Sequence, residues 1–217
     1  MSVKRVIEIA RGELGVTESP AGSNRVKYWE LFGPGWQGQP WCVAFLAWVF
    51  DKAGERMAFF GGRKTASCTI LLRWYREQGL TVPAAQAQPG DIVLLNFSDG
   101  ISPDHCGLVV ERNGSTVKTV EGNTSSAGSQ DNGGMVCEKT RYPYQIVGVC
   151  RPQYKPEEIT DDWSGHHAAD AIRWGKEIGL VKGYPDGTMR PDEPVPLWRL
   201  LTILKRYDDY RFGGSGK

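Results

Sequence analysis

The spacing of apolar residues changes once along the chain. In the first eighty residues, apolar positions recur three and four residues apart, which is typical of helices that bury one face, and glycines stand where such helices would end. The predicted helices span residues 2–14, 25–32, 42–53 and 69–78, and Asn24 is placed as the cap of the second. This part of the sequence therefore predicts helices joined by loops.

Strand patterns take over after Pro89-Gly90-Asp91, which predicts a turn. The predicted strands span residues 92–95, 107–111, 116–121, 135–138 and 146–150. Asn113-Gly114 separates two of them, and this dipeptide is a strong hairpin signal. Helices followed by an antiparallel sheet predict an α+β domain.

Composition narrows the function classes. The chain has 217 residues, of which 40% are hydrophobic and 24% charged, with a formal net charge of +1. This length suits one medium domain and a small one. The near-zero charge gives no electrostatic case for binding nucleic acid or an anionic membrane. The N-terminal segment contains Glu8 where a signal peptide needs an apolar stretch, so we expect a protein kept in the cytoplasm of the producing cell until release.

The cysteines indicate free thiols. There are five, an odd number, and no pair has Cys-x-x-Cys spacing. They lie at positions 42, 68, 106, 137 and 150. The pattern predicts neither a disulfide framework nor a structural zinc site, and we expect no metal. His166-His167 lack further ligands nearby in the sequence and do not change this expectation.

Cys42 is the first candidate for chemistry. It follows Pro40-Trp41 and begins an apolar run that ends at Phe50. Proline is tolerated at a helix start, so Cys42 is expected in the first turn of a buried helix. The partial positive charge of a helix N-terminus favours a thiolate. Two interpretations remain open from this segment alone: a nucleophile, or one more small apolar core residue.

His105 is the candidate partner. A cysteine nucleophile needs a base, and the base needs a group that orients it. The other two histidines lie in a separate C-terminal segment. If residues 112–115 form the hairpin turn, His105 lies at the same end as Glu121 and Asn123. Either side chain could hold one imidazole nitrogen and leave the other for Cys42. The alternative is a loop histidine without function.

Four motifs together resemble the CHAP family (cysteine, histidine-dependent amidohydrolases/peptidases). In chain order they are Trp41-Cys42-Val43-Ala44-Phe45, Pro89-Gly90-Asp91-Ile92-Val93, His105-Cys106-Gly107-Leu108-Val109 and Val120-Glu121-Gly122-Asn123-Thr124. The resemblance covers residues 1–152. It implies a papain-like fold that acts on the peptide part of bacterial peptidoglycan. Val43, where alanine is usual, and Cys106 beside the histidine are mild departures.

The resemblance also implies roles for individual residues. Cys42 would be the nucleophile, His105 the general base and acid, Glu121 the group that orients the imidazole, and Asn123 a further polar partner. The backbone N–H of Cys42 would stabilise the oxyanion, and Gln37 and Gln39 are candidates for a second donor. An amidase that cuts the muramoyl–alanine bond and an endopeptidase share this mechanism, so both remain open.

Calcium is possible but not predicted. Some CHAP lysins bind it through an acidic loop ahead of the cysteine. Here that region offers Glu18, Ser23 and Asn24 without an aspartate cluster, and calcium needs six or more oxygens. We therefore expect no cofactor.

The C-terminal part is similar to an SLH (surface-layer homology) module. Its motif is Gly179-Leu180-Val181-Lys182-Gly183-Tyr184-Pro185-Asp186-Gly187-Thr188-Met189-Arg190-Pro191, between helices predicted at 168–178 and 197–207. We expect a linker at 153–160, the module at 161–210 and a flexible tail at 211–217. The resemblance implies binding to a secondary cell-wall polymer. Leu197 stands where the family has its ligand-binding arginine, and a single copy buries little core, so self-association as a trimer is a further hypothesis.

Two function classes follow. The first is a peptidoglycan hydrolase, specifically a phage endolysin. The second is a non-catalytic wall-binding or structural protein that keeps the fold without turnover. The order of Cys42, His105, Glu121 and Asn123 along the chain favours the enzyme.

Overall fold

The protein contains two compact units, Met1–Glu157 and Glu158–Lys217, in a computed structural model. The structure describes residues 2–98, 101–154, 162–184 and 188–212. Within these residues, none of the helices combines the length and the apolar character needed to cross a membrane.

Three α-helices precede the main sheet, as the periodicity predicted. They are α1 (Ser2–Gly12), α2 (Cys42–Lys52) and α3 (Cys68–Glu77). Helix α2 is apolar on all sides, and its residues from Cys42 to Phe50 are all buried, so it forms the centre of the core. Gly54, with φ of 74°, lies just beyond its end, where a left-handed residue terminates a helix.

The sheet has six antiparallel strands. They are β1 (Thr81–Val82), β2 (Ile92–Leu95), β3 (His105–Asn113), β4 (Thr116–Thr124), β5 (Met135–Arg141) and β6 (Ile146–Cys150). Their order across the sheet is β1-β6-β2-β3-β4-β5. All residues of β2 are buried, because neighbours cover this central strand on both faces. The α+β class predicted from the sequence is confirmed.

The hairpin β3–β4 is the part of the sheet that matters for function. Asn113 pairs with Thr116, so the connecting loop is Gly114-Ser115, within the turn predicted at 112–115. Leu108 pairs with Val120 nearer the other end, which brings His105 and Glu121 to the same end of the hairpin. The sequence-based expectation that His105 and Glu121 lie close together assumed this pairing of β3 with β4.

Gly122 allows α2 to lie directly against β4. A Cβ atom at this position would lie 2.5 Å from Cβ of Phe45 and 2.7 Å from the ring of Trp41. Atoms cannot approach so closely, so any side chain here would push the helix away from the strand. The absent side chain therefore sets the distance between the start of α2 and the sheet.

Three local predictions were wrong. Residues 25–32 do not form an α-helix capped by Asn24; a short 3-10 helix spans Lys27–Leu31, and its N-cap is Val26. Asn24 instead has a positive φ of 53° and donates its N–H to the carboxylate of Glu18. Strand β1 was missed because two residues carry too little pattern to detect. His105 was predicted just before its strand but is its first residue, paired with Leu95.

The first unit ends on a packed tyrosine. The ring of Tyr154 stacks on Phe50 with centroids 5.7 Å apart, and its hydroxyl donates to the carbonyl oxygen of Gly90 at 2.5 Å. Tyr154 falls in the linker predicted at 153–160, yet it belongs to the core of the first unit. Residues 155–160 of that predicted linker lie outside the described residues.

Among the described residues of the second unit there are two helices, α4 (Ala169–Glu177) and α5 (Leu197–Phe212). Both lie where helices were predicted, but α5 continues five residues beyond the predicted end at Tyr207. The flexible tail predicted at 211–217 was therefore wrong for residues 211 and 212, which are helical, and residues 213–217 lie outside the described residues.

Candidate active site

Cys42 is the first residue of helix α2, as predicted. Its N-cap, Trp41, is not helical, and the carbonyl of Trp41 accepts the N–H of Phe45 at 2.9 Å. The indole N–H of Trp41 donates to Oε1 of Glu18 at 2.9 Å. This bond ties the start of helix α2, where Cys42 lies, to the preceding loop.

The surroundings of Cys42 favour its thiolate. Hydrogen bonds from the thiols of Cys106 and Cys68 are the strongest influence and lower the pKa of Cys42 well below its usual range. Burial acts in the opposite direction, while the hydrogen bond and positive charge of His105 lower the pKa further. The N-terminal end of α2 adds a partial positive charge close to the sulfur.

His105 is fully buried and is held from one side. Its Nε2 lies 3.0 Å from Oε2 of Glu121. Its other nitrogen, Nδ1, is buried and makes no hydrogen bond to an oxygen or nitrogen atom in the described part of the chain, so the Cys42 sulfur is its hydrogen-bond partner. Burial alone would lower the pKa of His105, but the Cys42 thiolate and the Glu121 carboxylate together raise it to about 9. The imidazole is therefore protonated beside the Cys42 thiolate at neutral pH.

Glu121 is buried and accepts four hydrogen bonds. Nε and Nη2 of Arg141 reach its two oxygens at 2.7 and 2.5 Å, so this pair is bidentate. The hydroxyl of Thr119 donates to Oε1 at 2.5 Å, and His105 is the fourth partner. Burial raises the pKa of Glu121, but the bonds from Arg141 and His105 outweigh burial and lower it to about 2.

Arg141 was missed from the sequence. The predicted strand stopped at Glu138, whereas β5 continues to Arg141, whose side chain is only 3% exposed. Its guanidinium also lies over the ring of Phe97 at 4.8 Å. If the predicted strand had been extended to residue 141, the alternation of side chains along it would have placed this arginine on a face directed into the protein. Because a buried arginine needs a carboxylate, the sequence could then have predicted a pair between Arg141 and a buried acidic residue.

The structure shows why the motif that begins at His105 has a glycine at position 107. A Cβ atom there would lie 2.6 Å from Cγ of Glu121 and 3.1 Å from Cβ of Thr119. The Glu121 side chain thus crosses over the backbone of the neighbouring strand at Gly107. Only glycine leaves room for the carboxylate to reach His105.

Asn123 lies beside this group but points to a loop. It has φ of 61°, and its Nδ2 donates to Oδ1 of Asn132 at 3.1 Å and more distantly to the carbonyl of Asp131. Its own carbonyl accepts the N–H of Gly133. Its Oδ1 is buried and has no partner among the residues described. The contacts of Asn123 therefore hold the loop that follows β4.

The other predicted polar residues have structural contacts. Gln37 uses both ends of its amide on the backbone of Val26, at 3.2 and 3.0 Å, whereas Gln39 is exposed. The two oxygens of Glu18 accept bonds from Trp41 and Asn24. The region considered for calcium thus contains a carboxylate that already serves the loop.

Cys68 and Cys106 were not expected near Cys42. The sulfur of Cys68, the first residue of α3, lies 3.8 Å from that of Cys42. The three sulfur atoms all lie within 4.8 Å of one another. Cys106 and Cys68 have raised pKa values and stay protonated. Burial is the main cause of the raised pKa of Cys106. For Cys68, the hydrogen bond with Cys106 lowers the pKa, but the Cys42 thiolate and burial together raise it by more. Both can therefore donate to the Cys42 thiolate.

These groups together can perform nucleophilic acyl chemistry. Cys42 provides a thiolate, His105 a proton, and Glu121 a fixed orientation for the imidazole. The start of α2 also presents backbone N–H groups that have no partner within the helix, and such groups are the kind of donor that stabilises an oxyanion.

Replacing Arg141 by methionine should strongly destabilise the first unit. Glu121 would keep its buried charge and lose its bidentate partner, and breaking a buried ion pair typically costs about 3–5 kcal/mol. Denaturant unfolding measures this free energy. The control is Arg73→Met, because Arg73 is 68% exposed and its pair with Glu77 spans 3.9 Å. Its expected effect is below about 0.5 kcal/mol. Equal midpoints for the two variants would contradict the assigned pair.

Alkylation should identify Cys42 as the ionised thiol. At pH 6 an ordinary thiol with a pKa of about 8.5 is well under ~1% ionised. The lowered pKa of Cys42 keeps its thiolate populated as the pH falls to that value. Limiting iodoacetamide at pH 6, followed by peptide mass spectrometry, should therefore modify Cys42 before the more exposed Cys137, whose pKa burial raises. His105→Asn should move the Cys42 reaction to higher pH. Preferential modification of Cys137 at pH 6 would refute the assignment.

Comparisons with known proteins give two family matches. The CHAP domain model matches residues 34–123, and the S-layer homology domain model matches residues 160–195. The first match spans Cys42, His105, Glu121 and Asn123. A search of curated proteins finds no match.

Two similar solved structures are the crystal structure of Ly7917 and that of a wild-type endolysin, LysIME-EF1. Ly7917 is 17% identical with a TM-score of 0.44, and the alignment covers 70% of this chain and 63% of that one. LysIME-EF1 is 16% identical with a TM-score of 0.46, covering 71% of this chain and 66% of its own. The chain thus spans slightly less than two thirds of the length of each.

The family matches agree with the division of the chain into units. Residues 34–123 lie within the α+β unit and contain helix α2, the hairpin β3–β4 and the buried thiolate. The second match lies in the unit that contains α4. The chain carries a CHAP domain followed by an S-layer homology domain.

Proposed function

We propose that the first unit is a peptidoglycan hydrolase that cleaves an amide bond through Cys42. The observation that carries this proposal is the buried chain of contacts from Cys42 through His105 and Glu121 to Arg141, inside the part of the sequence matched by the CHAP domain. A structural protein has no need to bury a thiolate next to a protonated imidazole. The alternative of a non-catalytic wall-binding protein is therefore less well supported.

The chemistry follows from the two partners of His105. The Cys42 thiolate attacks the carbonyl carbon of the amide, and the backbone N–H of Cys42 donates to the oxyanion. His105 gives its Nδ1 proton to the leaving amine as the C–N bond breaks. A water molecule then attacks the thioester, His105 takes its proton, and the thiolate leaves.

Glu121 acts through His105. Its bond to Nε2 keeps that nitrogen protonated, so Nδ1 is the nitrogen that exchanges a proton with Cys42 and the leaving group. Arg141 and Thr119 fix the carboxylate in turn. Because Gln37 is bound to the backbone of Val26, Gln39 is the better candidate for the second oxyanion donor. Asn123 is a positioning residue, which shapes the loop beside the site.

The decisive variant is Cys42→Ala assayed on purified peptidoglycan. Loss of the nucleophile should reduce the release of soluble fragments by at least about 10³-fold, because the remaining groups cannot form the thioester. The matched control is Cys137→Ala, which removes a thiol that lies outside the group of three and should retain activity. Undiminished release by Cys42→Ala would eliminate the nucleophile assignment, whereas no release by the unaltered chain would favour the non-catalytic alternative.

Mass spectrometry of the fragments distinguishes the two kinds of hydrolase. An N-acetylmuramoyl-L-alanine amidase releases intact stem peptides and glycan strands without them. An endopeptidase leaves part of the stem on the glycan and creates a new amino terminus within the peptide.

We further propose the role of a phage endolysin, the class to which LysIME-EF1 belongs by name. Such an enzyme stays in the cytoplasm of the producing cell until release.

The second unit is proposed to bind an anionic wall polymer. A cavity of about 480 Å³ in this unit is lined by four basic side chains and one acidic one, Glu193. The basic residues are Lys182, Arg190, Arg199 and Arg206. Two of the guanidinium groups lie on the ring of Tyr184, each 4.1 Å from its centre. These arginines compensate in charge for Leu197, which stands at the usual position of the family's arginine and is exposed.

Cell-wall pelleting tests this binding. In a Cys42→Ala background, which keeps the walls intact, the full chain should sediment with walls that carry their secondary polymer and not with stripped walls. Arg199→Gln should weaken sedimentation several-fold. The control is Arg173→Gln, because Arg173 pairs with Asp170 on α4 and does not line the cavity. Equal binding by both variants would remove the cavity from the proposal.

Self-association as a trimer remains our proposal for the same unit. Helix α5 has no buried residue, and several large apolar side chains on it are exposed. They are Leu197, Trp198, Leu200, Leu201, Leu204 and Tyr207. Light scattering at micromolar concentration should give three times the chain mass, and a monomer would reject the idea.

A further inference from the structure

Two of the three thiols at the proposed active site, Cys68 and Cys106, form no bond to the substrate in the proposed hydrolysis. Cys42 and Cys68 begin helices α2 and α3, and Cys106 is the second residue of β3. All three are buried, at most 6% exposed. Ordinary core packing does not require three sulfur atoms from three separate elements to converge within 4.8 Å of one another.

The distances between the sulfur atoms suit a cation that prefers sulfur ligands and binds them in tetrahedral geometry. Zinc binds cysteine sulfur at about 2.3 Å, so two sulfurs of a tetrahedral site lie about 3.8 Å apart. The sulfurs of Cys42 and Cys68 are 3.8 Å apart. Cys106 must approach by less than about 1 Å to complete the triangle. Three sulfurs without an oxygen ligand exclude calcium and magnesium, which take oxygen ligands.

Nδ1 of His105 is the candidate for a fourth ligand, because His105 shares a hydrogen bond with the Cys42 sulfur. It is not one of the atoms that all lie within 4.8 Å of one another, so it must approach Cys68 and Cys106 when a metal binds. This Nδ1 is fully buried and makes no hydrogen bond to an oxygen or nitrogen atom among the described residues, while Nε2 lies 3.0 Å from Glu121. Histidines that bind metals usually donate the second ring N–H to a carboxylate, which fixes the ring and the tautomer. Glu121 already makes that contact, so the imidazole is oriented for a metal on the Nδ1 side.

We propose that Cys42, Cys68, Cys106 and Nδ1 of His105 form a binding site for Zn²⁺ that holds the hydrolase inactive. The inhibition rests on the proposed function, whereas the binding does not. The metal would bond to the nucleophilic sulfur and to the nitrogen that must carry the proton, so neither could act on a substrate. Removal of the metal by a chelator restores both groups.

Binding is a ligand exchange without oxidation or reduction. Each thiol that is still protonated loses its proton to solvent as a Zn–S bond forms, and the imidazolium of His105 loses its Nδ1 proton to solvent as the Zn–N bond forms. Three thiolates, one neutral imidazole and Zn²⁺ carry a net charge of −1. The partial positive charge at the start of α2 favours that sign.

Cadmium titration tests the site without any assay of activity. Cd²⁺ bound to thiolates gives an ultraviolet charge-transfer band whose intensity grows with the number of sulfurs. One equivalent should bind to the wild-type chain with the intensity of three thiolates. Cys68→Ser and Cys106→Ser should each lose about a third of the band and at least tenfold in affinity. Cys137→Ser, the matched control, should titrate as the wild type does.

Zinc protection gives a measurement that needs no variant. With one equivalent of Zn²⁺, Cys42, Cys68 and Cys106 should all resist alkylation while Cys137 still reacts, and EDTA should restore the reaction of Cys42. If Cys137→Ser also loses the cadmium band, or if zinc fails to protect the three cysteines, the metal site is refuted.

Activity separates this proposal from the proposed hydrolase. Zinc should abolish fragment release by the wild-type chain, EDTA should restore it, and any activity of Cys68→Ser should need at least tenfold more zinc for inhibition. A chain that binds cadmium with three thiolates but never releases fragments contradicts the hydrolase and retains the metal site. A chain that releases fragments at the same rate with and without zinc contradicts the inhibitory site alone.

Discussion

The buried pair between Glu121 and Arg141 determines how the candidate site is built. A carboxylate in the interior is costly unless hydrogen bonds and an opposite charge compensate it, and Arg141 supplies both through two bonds. Because the carboxylate stays ionised, His105 is oriented and keeps its proton, and that proton in turn favours the thiolate of Cys42. The reactivity of one sulfur atom at the start of α2 thus depends on an ion pair between β4 and β5.

Much of this arrangement could be predicted from the sequence because it depends on local rules. An apolar run after Pro40 predicted helix α2 with Cys42 in its first turn. The turn at residues 112–115 then fixed which strand residues lie opposite each other, so His105 and Glu121 were expected at one end of the hairpin. The structure brings His105 and Glu121 together, and the α+β class is confirmed.

The rest depends on contacts that no local pattern encodes. Arg141 reaches Glu121 only because β5 runs three residues further than its apolar alternation indicated. Cys68 and Cys106 meet Cys42 because two helix starts and a strand converge, and their spacing in the sequence contains no sign of it. Asn24 was expected to cap a helix, but its backbone bond to the buried Glu18 favoured a left-handed loop conformation instead.

The packing of Tyr154 decides where the chain can be cut and rejoined. Strand β6 carries the chain out of the first unit and pairs with β1 and β2, not with the strands that hold Glu121 and Arg141. A chimaera that exchanges the second unit should therefore keep the native sequence through Tyr154, because its ring and hydroxyl complete the core at Phe50 and Gly90. The contacts of Cys42, His105, Glu121 and Arg141 described above are all made within the first unit, so an exchange after Tyr154 keeps them.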